Sequence, residues 1–209
     1  MTLPWGLYIN GETMTLLRTV TLAYDTRYIL QEDGNYIVDN YPNKKLYWYD
    51  NAFTLLRTVA LAFGPSTIIK EDGNYIVTDY PNKKLYWYDN KFNLLRTVTL
   101  AYGPTSAIKE DGNYIVLDYT NRKMHWYDNA FTLLRSVDLA AGTHRILKED
   151  GNYIVVDYIN KKLYWYDNKF NLLRSVTLGY NPHNILKEDG NYIVTDTIAK
   201  SFRWYDNKF

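Results

Sequence analysis

Apolar and polar positions along this chain come in short runs of strand length, each closed by turn residues, and no stretch keeps the three-to-four-residue spacing of a helix. Asn74-Tyr-Ile-Val-Thr-Asp79 and Lys84-Leu-Tyr-Trp-Tyr-Asp89 are rich in β-branched and aromatic residues, and Pro81-Asn82 and Asp89-Asn90 bound them. Both are predicted strands. Leu94–Leu100 is a third, with Leu95 and Arg96 on opposite faces, and Ser106–Lys109 is a fourth that runs into Asp111-Gly112. An Asp-Gly pair between two strand patterns signals a tight hairpin, because Gly tolerates the positive φ that such turns require. In chain order the unit reads A (Ile68–Lys70), B (Asn74–Asp79), C (Lys84–Asp89) and D (Leu94–Leu100). B and C are apolar on both faces, as expected of a sheet pressed between two neighbours.

The unit recurs. Glu-Asp-Gly-Asn-Tyr-Ile-Val begins at Glu32, Glu71, Glu110, Glu149 and Glu188, a fixed step of 39 residues. Four short strands per period match one blade of a β-propeller, whose copies bury one another's faces. A β-solenoid of shorter hairpin units is the alternative. The expected fold is therefore all-β, a five-bladed propeller of four-stranded antiparallel blades. Residues 1–209 form a single domain with periods starting near 34, 73, 112, 151 and 190.

The first residues continue the pattern out of phase. Leu7-Tyr8-Ile9 aligns with strand C, and residues 15–22 match strand D of later copies almost letter for letter. The last copy stops at Phe209, before a strand D begins. Residues 15–22 are thus predicted to complete the fifth blade, with Leu16, Leu17, Val20 and Leu22 buried at roughly 1.5 to 3 kcal/mol each. Residues 1–14 and 201–209 then compete for the third strand of that blade. An unpaired edge there would offer a route to dimers, although a monomer is the primary expectation.

Composition adds mainly exclusions. The 22 tyrosines follow from the repeat, and a net charge of +1 gives no global attraction to nucleic acid or to an anionic membrane. No apolar run is long enough to span a bilayer, and no basic and apolar leader is visible, so a soluble, cytoplasmic protein is expected. Cys is absent, which excludes disulfides and thiolate chemistry. There is no P-loop, His-Glu-x-x-His or Gly-x-Ser-x-Gly. Neither a catalytic residue nor a cofactor is assigned. One-off acids that a hydrolase would need are few: Glu12, Asp25, Asp39 and Asp138.

The run Asp-Gly-Asn-Tyr-Ile-Val-x-Asp-x-x-Asn-x-Lys-Leu, seen at Asp72–Leu85 with Asp79, Asn82 and Lys84, resembles the NHL-repeat pattern. Asp118, Asn121 and Lys123 match it in the next copy, and Asp157, Asn160 and Lys162 in the one after. The first copy has Asn40 instead of Asp, and the last has Ala199 and Ser201 instead of Asn and Lys. The resemblance implies a binding platform for protein or RNA, and only rarely an enzyme.

Strand alternation sorts the charges. One face collects the Glu-Asp pairs of the A–B turns, which repeat at a turn where Asp bonds its own backbone and are read as structural. The other collects Lys44, Lys83, Arg122 and Lys161 at the B–C corners. Trp48, Trp87, Trp126, Trp165 and Trp204 recur once per copy in mid-strand, and are read as packing residues rather than stacking platforms.

Divergence among copies concentrates in the D–A loop and first strand. At two adjacent positions the copies carry Arg27 and Tyr28, Ser66 and Thr67, Thr105 and Ser106, His144 and Arg145, and His183 and Asn184. These positions open the central channel on the basic face. Arg27, Tyr28, His144, Arg145, His183 and Asn184 are the candidate binding residues, for a small anion or a glycan. The two histidines also admit a metal, although none is assigned. The divergence also reads as drift at a tolerant loop, and the expected function is a non-catalytic scaffold or ligand-binding platform, designed or newly amplified with no evolved ligand; the alternative is a multivalent, lectin-like carbohydrate binder or an RNA- or protein-binding propeller.

Overall fold

The computed structural model describes residues 7–9, 12–14, 16–139 and 143–206, and those residues contain strands and turns but no helix. A short hairpin comes first, β1 (Leu7–Ile9) with β2 (Glu12–Met14), followed by β3 (Leu16–Thr21). Blade one is β4 (Ile29–Glu32), β5 (Asn35–Asn40), β6 (Lys45–Tyr49) and β7 (Leu55–Ala60). Blade two is β8 (Thr67–Glu71), β9 (Asn74–Asp79), β10 (Lys84–Tyr88) and β11 (Leu94–Thr99). Blade three is β12 (Pro104–Glu110), β13 (Asn113–Asp118), β14 (Lys123–Tyr127) and β15 (Leu133–Asp138). Blade four is β16 (Thr143–Glu149), β17 (Asn152–Asp157), β18 (Lys162–Tyr166) and β19 (Leu172–Thr177). Blade five has β20 (Pro182–Glu188), β21 (Asn191–Asp196) and β22 (Ser201–Tyr205), and β3 is its fourth strand. The five-bladed propeller expected from the period is the fold observed.

Local chemistry explains the blade. Each A–B turn places Asp and Gly both at positive φ, for example Asp111 at 46° and Gly112 at 79°, the geometry of a two-residue hairpin. The C–D turns put a Phe at positive φ, as at Phe92 (67°), an unfavourable conformation for a bulky side chain. Burial compensates: Phe92 stacks on Tyr75 at 4.7 Å and meets Trp48 of the preceding blade edge-on at 5.2 Å. The inner strand is longer than the sequence pattern indicates. In blades three to five it extends back to Pro104, Thr143 and Pro182, with an irregular register at that end.

Five buried clusters hold the ring, one at each contact between blades. Blades one and two share Ile37, Leu46, Trp48, Ile68, Tyr75 and Val77, and the remaining pairs repeat the scheme. The central tryptophans pack between blades, as expected. The turn glutamates tie adjacent blades together. Glu32 accepts from the Tyr75 hydroxyl at 2.7 Å and pairs with Lys70 at 2.5 Å, and Glu110 does the same with Tyr153 at 2.5 Å and Lys148 at 2.6 Å.

The end of the ring is closed by β3, which pairs antiparallel with β22 from Ser201 opposite Thr21 to Tyr205 opposite Leu16. Ser201–Tyr205 therefore supplies the third strand of blade five, and β1 with β2 pair as a separate two-stranded sheet. The energetic expectation for closure needs correction. Leu17 is 54% exposed, because outer strands present that position to solvent in every blade, as at Leu56 and Leu95. The side chain of Leu16 lies outside the described residues. Val20 and Leu22 are the ones that pack, against the cluster of Ile193, Phe202 and Trp204. Backbone pairing, extended by Leu22 N–H to Lys200 O at 2.8 Å, carries the rest. Removing residues 1–24 is expected to replace a cooperative thermal transition with a broad one; a truncated chain that melts as sharply as the parent would refute closure by β3.

Candidate functional site

The inner strand of each blade has no partner toward the axis, so its outward carbonyls must find donors elsewhere or stay unpaired in a buried place. Two adjacent positions of each copy, those singled out by divergence, face this region. The second of them answers the carbonyls. The Tyr28 hydroxyl donates to Ile68 O, Thr67 Oγ1 to Thr105 O at 2.8 Å, and Asn184 Nδ2 to Ile29 O at 3.1 Å, each reaching into the next blade. Arg145 spans further. Its Nη1 donates to Thr105 O at 2.5 Å and to His144 O at 2.8 Å, and its Nη2 donates to Ser66 O.

The first position of all five copies, Arg27, Ser66, Thr105, His144 and His183, lines one cavity of about 140 Å³, together with Arg145, Tyr41, Tyr80 and Tyr119. A second cavity of about 320 Å³ shares Arg27, His144 and His183 and adds Asp25, Thr26, Tyr158 and Thr197. The structure thus brings Arg27, His144, Arg145 and His183 to one mouth, and places Tyr28 and Asn184 among the buried residues that bond to the carbonyls. Neither cavity is lined by Lys44, Lys83, Arg122 or Lys161. Those residues sit at positive φ in the B–C corners, and Lys44 and Lys83 reach back to Ala62 O and Ala101 O at 3.2 and 3.3 Å.

A ring of tyrosines surrounds the mouth, which the divergent positions alone do not reveal. Tyr41, Tyr80, Tyr119 and Tyr158 occupy one position per copy, just past the B strand, and Thr197 breaks the series in blade five. The signal lay in that single break. Tyr119 packs on His144 with ring centres 4.4 Å apart, Tyr158 stands edge-on to His144 and His183, and Arg27 covers Tyr41 at 3.9 Å. Gly64 and Gly103 allow the close approach: a Cβ at Gly103 would lie 2.5 Å from the Tyr80 carbonyl oxygen.

Electrostatics of the mouth follow from burial and two arginines. Burial, then the Arg145 and Arg27 charges, pushes the His144 imidazolium down to about 3, and the same influences hold His183 well below its ordinary value. Both imidazoles are neutral at pH 7, with ring centres 5.0 Å apart. His183 Nδ1 has no hydrogen-bond partner among the described residues. Burial also draws Arg145 down to about 10, so it stays charged. Among the described residues that line the two cavities Asp25 is the one carboxylate, and Lys200 pairs with it at 3.1 Å. Among the described residues no group of three His, Asp or Glu is placed to hold a metal.

Asp39 is fully buried, at a position where the other copies have Thr78, Leu117, Val156 and Thr195. Its Oδ1 accepts from Arg27 N and Tyr28 N at 2.7 Å each and from Thr26 Oγ1 at 3.0 Å, which fixes the loop that carries Arg27. Oδ2 has no partner among the described residues.

No family model matches the chain, and no curated protein matches it. Solved propellers do. Glutaminyl cyclase of Myxococcus xanthus is similar at a TM-score of 0.77 and 10% identity, over 92% of this chain and 95% of that one. Virginiamycin B lyase of Staphylococcus aureus is similar at 0.58 and 11%, over 87% and 66%. The WD40 propeller domain of Doa1 is similar at 0.60 and 12%, over 86% and 63%. At these identities the likeness is one of fold. No helix among the described residues is long and apolar enough to cross a membrane.

Burial raises the Asp39 carboxyl to about 6, and its three hydrogen bonds and Arg145 only partly offset this. An acid raised on folding gives stability that is present below its unfolded value and lost as pH rises through about 6. Asp39→Asn is therefore expected to gain up to about 3 kcal/mol relative to the parent between pH 4 and pH 8 in urea unfolding. A difference that stays flat across that range would contradict the assignment.

Proposed function

We propose that the protein is a non-catalytic, monomeric binding platform whose ligand seat is the channel mouth, and that the seat takes a small anion. The supporting observation is convergence. One position of the repeat departs from small polar residues in three blades, to Arg27, His144 and His183, and all three line the same cavities. Drift at a tolerant loop would scatter charge of either sign, whereas among the described residues the cavity over Arg145 is lined by no carboxylate, and Asp25 at the second cavity is paired with Lys200.

Each group has a distinct part. Arg27 supplies the charge that a ligand meets; it is half-buried, and its guanidinium rests on the Tyr41 ring at the cavity. The neutral imidazoles of His144 and His183 add hydrogen bonds rather than charge. Arg145, already bonded to three carbonyls, contributes its field from the floor. The gap left by Thr197 widens the mouth on the side of blade five. The resemblance of the B–C corners to NHL repeats supports the same broad role, since such propellers serve as platforms.

Calorimetric titration of the intact chain with inorganic phosphate and with sulfate tests the reading. Binding that weakens as salt rises is expected, and Arg27→Ala should raise Kd about 10-fold or more, the effect of losing one charge-assisted hydrogen bond. No heat with either anion, or binding insensitive to salt, would overturn an anion seat, and capture on a glycan array would then favour a neutral sugar.

A further inference from the structure

Among the described residues four polar side chains answer the axial carbonyls, and three of them are neutral. Tyr28, Thr67 and Asn184 each reach one carbonyl of the adjoining blade. Arg145 alone collects several. Its guanidinium is bonded to carbonyls from three different blades, Ser66 of blade two, Thr105 of blade three and His144 of its own, and the residue is 2% exposed. Among the described residues no carboxylate hydrogen-bonds to it: Asp39 and then Tyr28 favour its charge electrostatically, and the Tyr28 ring lies 5.9 Å away. Carbonyl oxygens converging on one point place several partial negative charges at short range, which is the environment that holds a cation stripped of water. In the other copies the equivalent residues, Tyr28, Thr67, Ser106 and Asn184, carry no charge.

We infer that the carbonyls of Ser66, Thr105 and His144 form a cation-binding site on the channel axis, that Arg145 occupies it as a tethered ligand, and that free guanidinium takes the site when this side chain is shortened. The planar guanidinium suits the place better than a metal ion. Nη1 and Nη2 serve carbonyls on different blades and lie in one plane, as those acceptors require, while Nε has no partner among the described residues. The assignment is independent of what binds at the mouth above, because it concerns the floor rather than Arg27 and the imidazoles.

The test is chemical rescue in the full-length chain. Arg145→Ser, the residue of blade three at this position, is expected to lower Tm by roughly 5 to 15 °C, since buried carbonyls lose their donors. Millimolar guanidinium chloride should then return a few degrees of that loss, while sodium chloride of equal ionic strength should not and the parent should not respond. Arg145→Met fills the space without a cation and should be destabilised and rescued less, because the side chain blocks the site. An Arg145→Met protein as stable as the parent would show that the carbonyls need no cation. Absence of rescue in Arg145→Ser would overturn the site as well. Equal rescue by sodium or potassium would replace guanidinium by a metal cation as its ligand. Should Arg145→Ser not fold, Arg145→Lys decides the matter: an ammonium that restores most of the parent Tm supports a cation site, and one no better than Met refutes it.

Discussion

Everything in this molecule depends on a sheet that must be covered on both faces. The second strand of each blade is buried along nearly its whole length, as in Tyr75 to Asp79, and the third buries residues of both faces, including Leu85, Trp87 and Tyr88. Such a strand has no face to offer water, so each blade is stable only between two others. A linear stack would leave two open faces at its ends. A ring leaves none, and five wedge-shaped contacts built from Trp, Tyr and Phe set how many blades complete it. The turn glutamates then act across the contacts, from Glu32 to Tyr75 and onward around the disk.

Closing the ring creates a second problem at its centre. The inner strands present unpaired backbone toward the axis, where little water reaches. The side chains that solve it occupy the one repeat position where the copies disagree most. Agreement elsewhere is required because each blade meets the same two neighbours. At the axis the symmetry breaks, because one long side chain, Arg145, can serve carbonyls of several blades and relieve the others. Divergence there thus has a structural cause, whatever the mouth binds. The residue above it, His144, is free of that duty and faces the mouth.

Strand order, blade count and the role of residues 15–22 were legible in the sequence because period, turn chemistry and apolar runs are local signals. The limits of that legibility are equally physical. Leu17 looks like a core residue, yet outer strands border solvent, and nothing in one copy tells an outer strand from an inner one. Arg145 reads as a ligand-binding charge at the channel mouth, and its burial follows from the carbonyls of Ser66 and Thr105, far away in the chain, which accept from it. Asp39 appeared as an isolated acid, and its place beneath Arg27 depends on the fold of the loop at Thr26. The tyrosine ring was readable from its spacing, but its meaning came only from the rings it touches.

The position of the joint is the last consequence of these constraints. The chain could close its ring by pressing two complete blades together, through side chains alone. It closes instead inside blade five, where β3 pairs with β22. A hydrogen-bonded ladder fixes register, since a one-residue slip would turn Val20 away from Phe202 and expose it. Packing alone would tolerate such a slip more readily. At the adjoining contact with blade one, Gln31 stands where the other copies have Lys70, Lys109, Lys148 and Lys187. There Glu188 accepts from Gln31 Nε2 at 2.7 Å and from the Trp204 indole at 3.0 Å, as well as from Tyr36. The contact beside the joint is thus held by neutral donors, which salt screens less than the ion pairs of the other four. Register at the joint and bonding less screened by salt beside it serve the same end, a ring that stays shut at its joint.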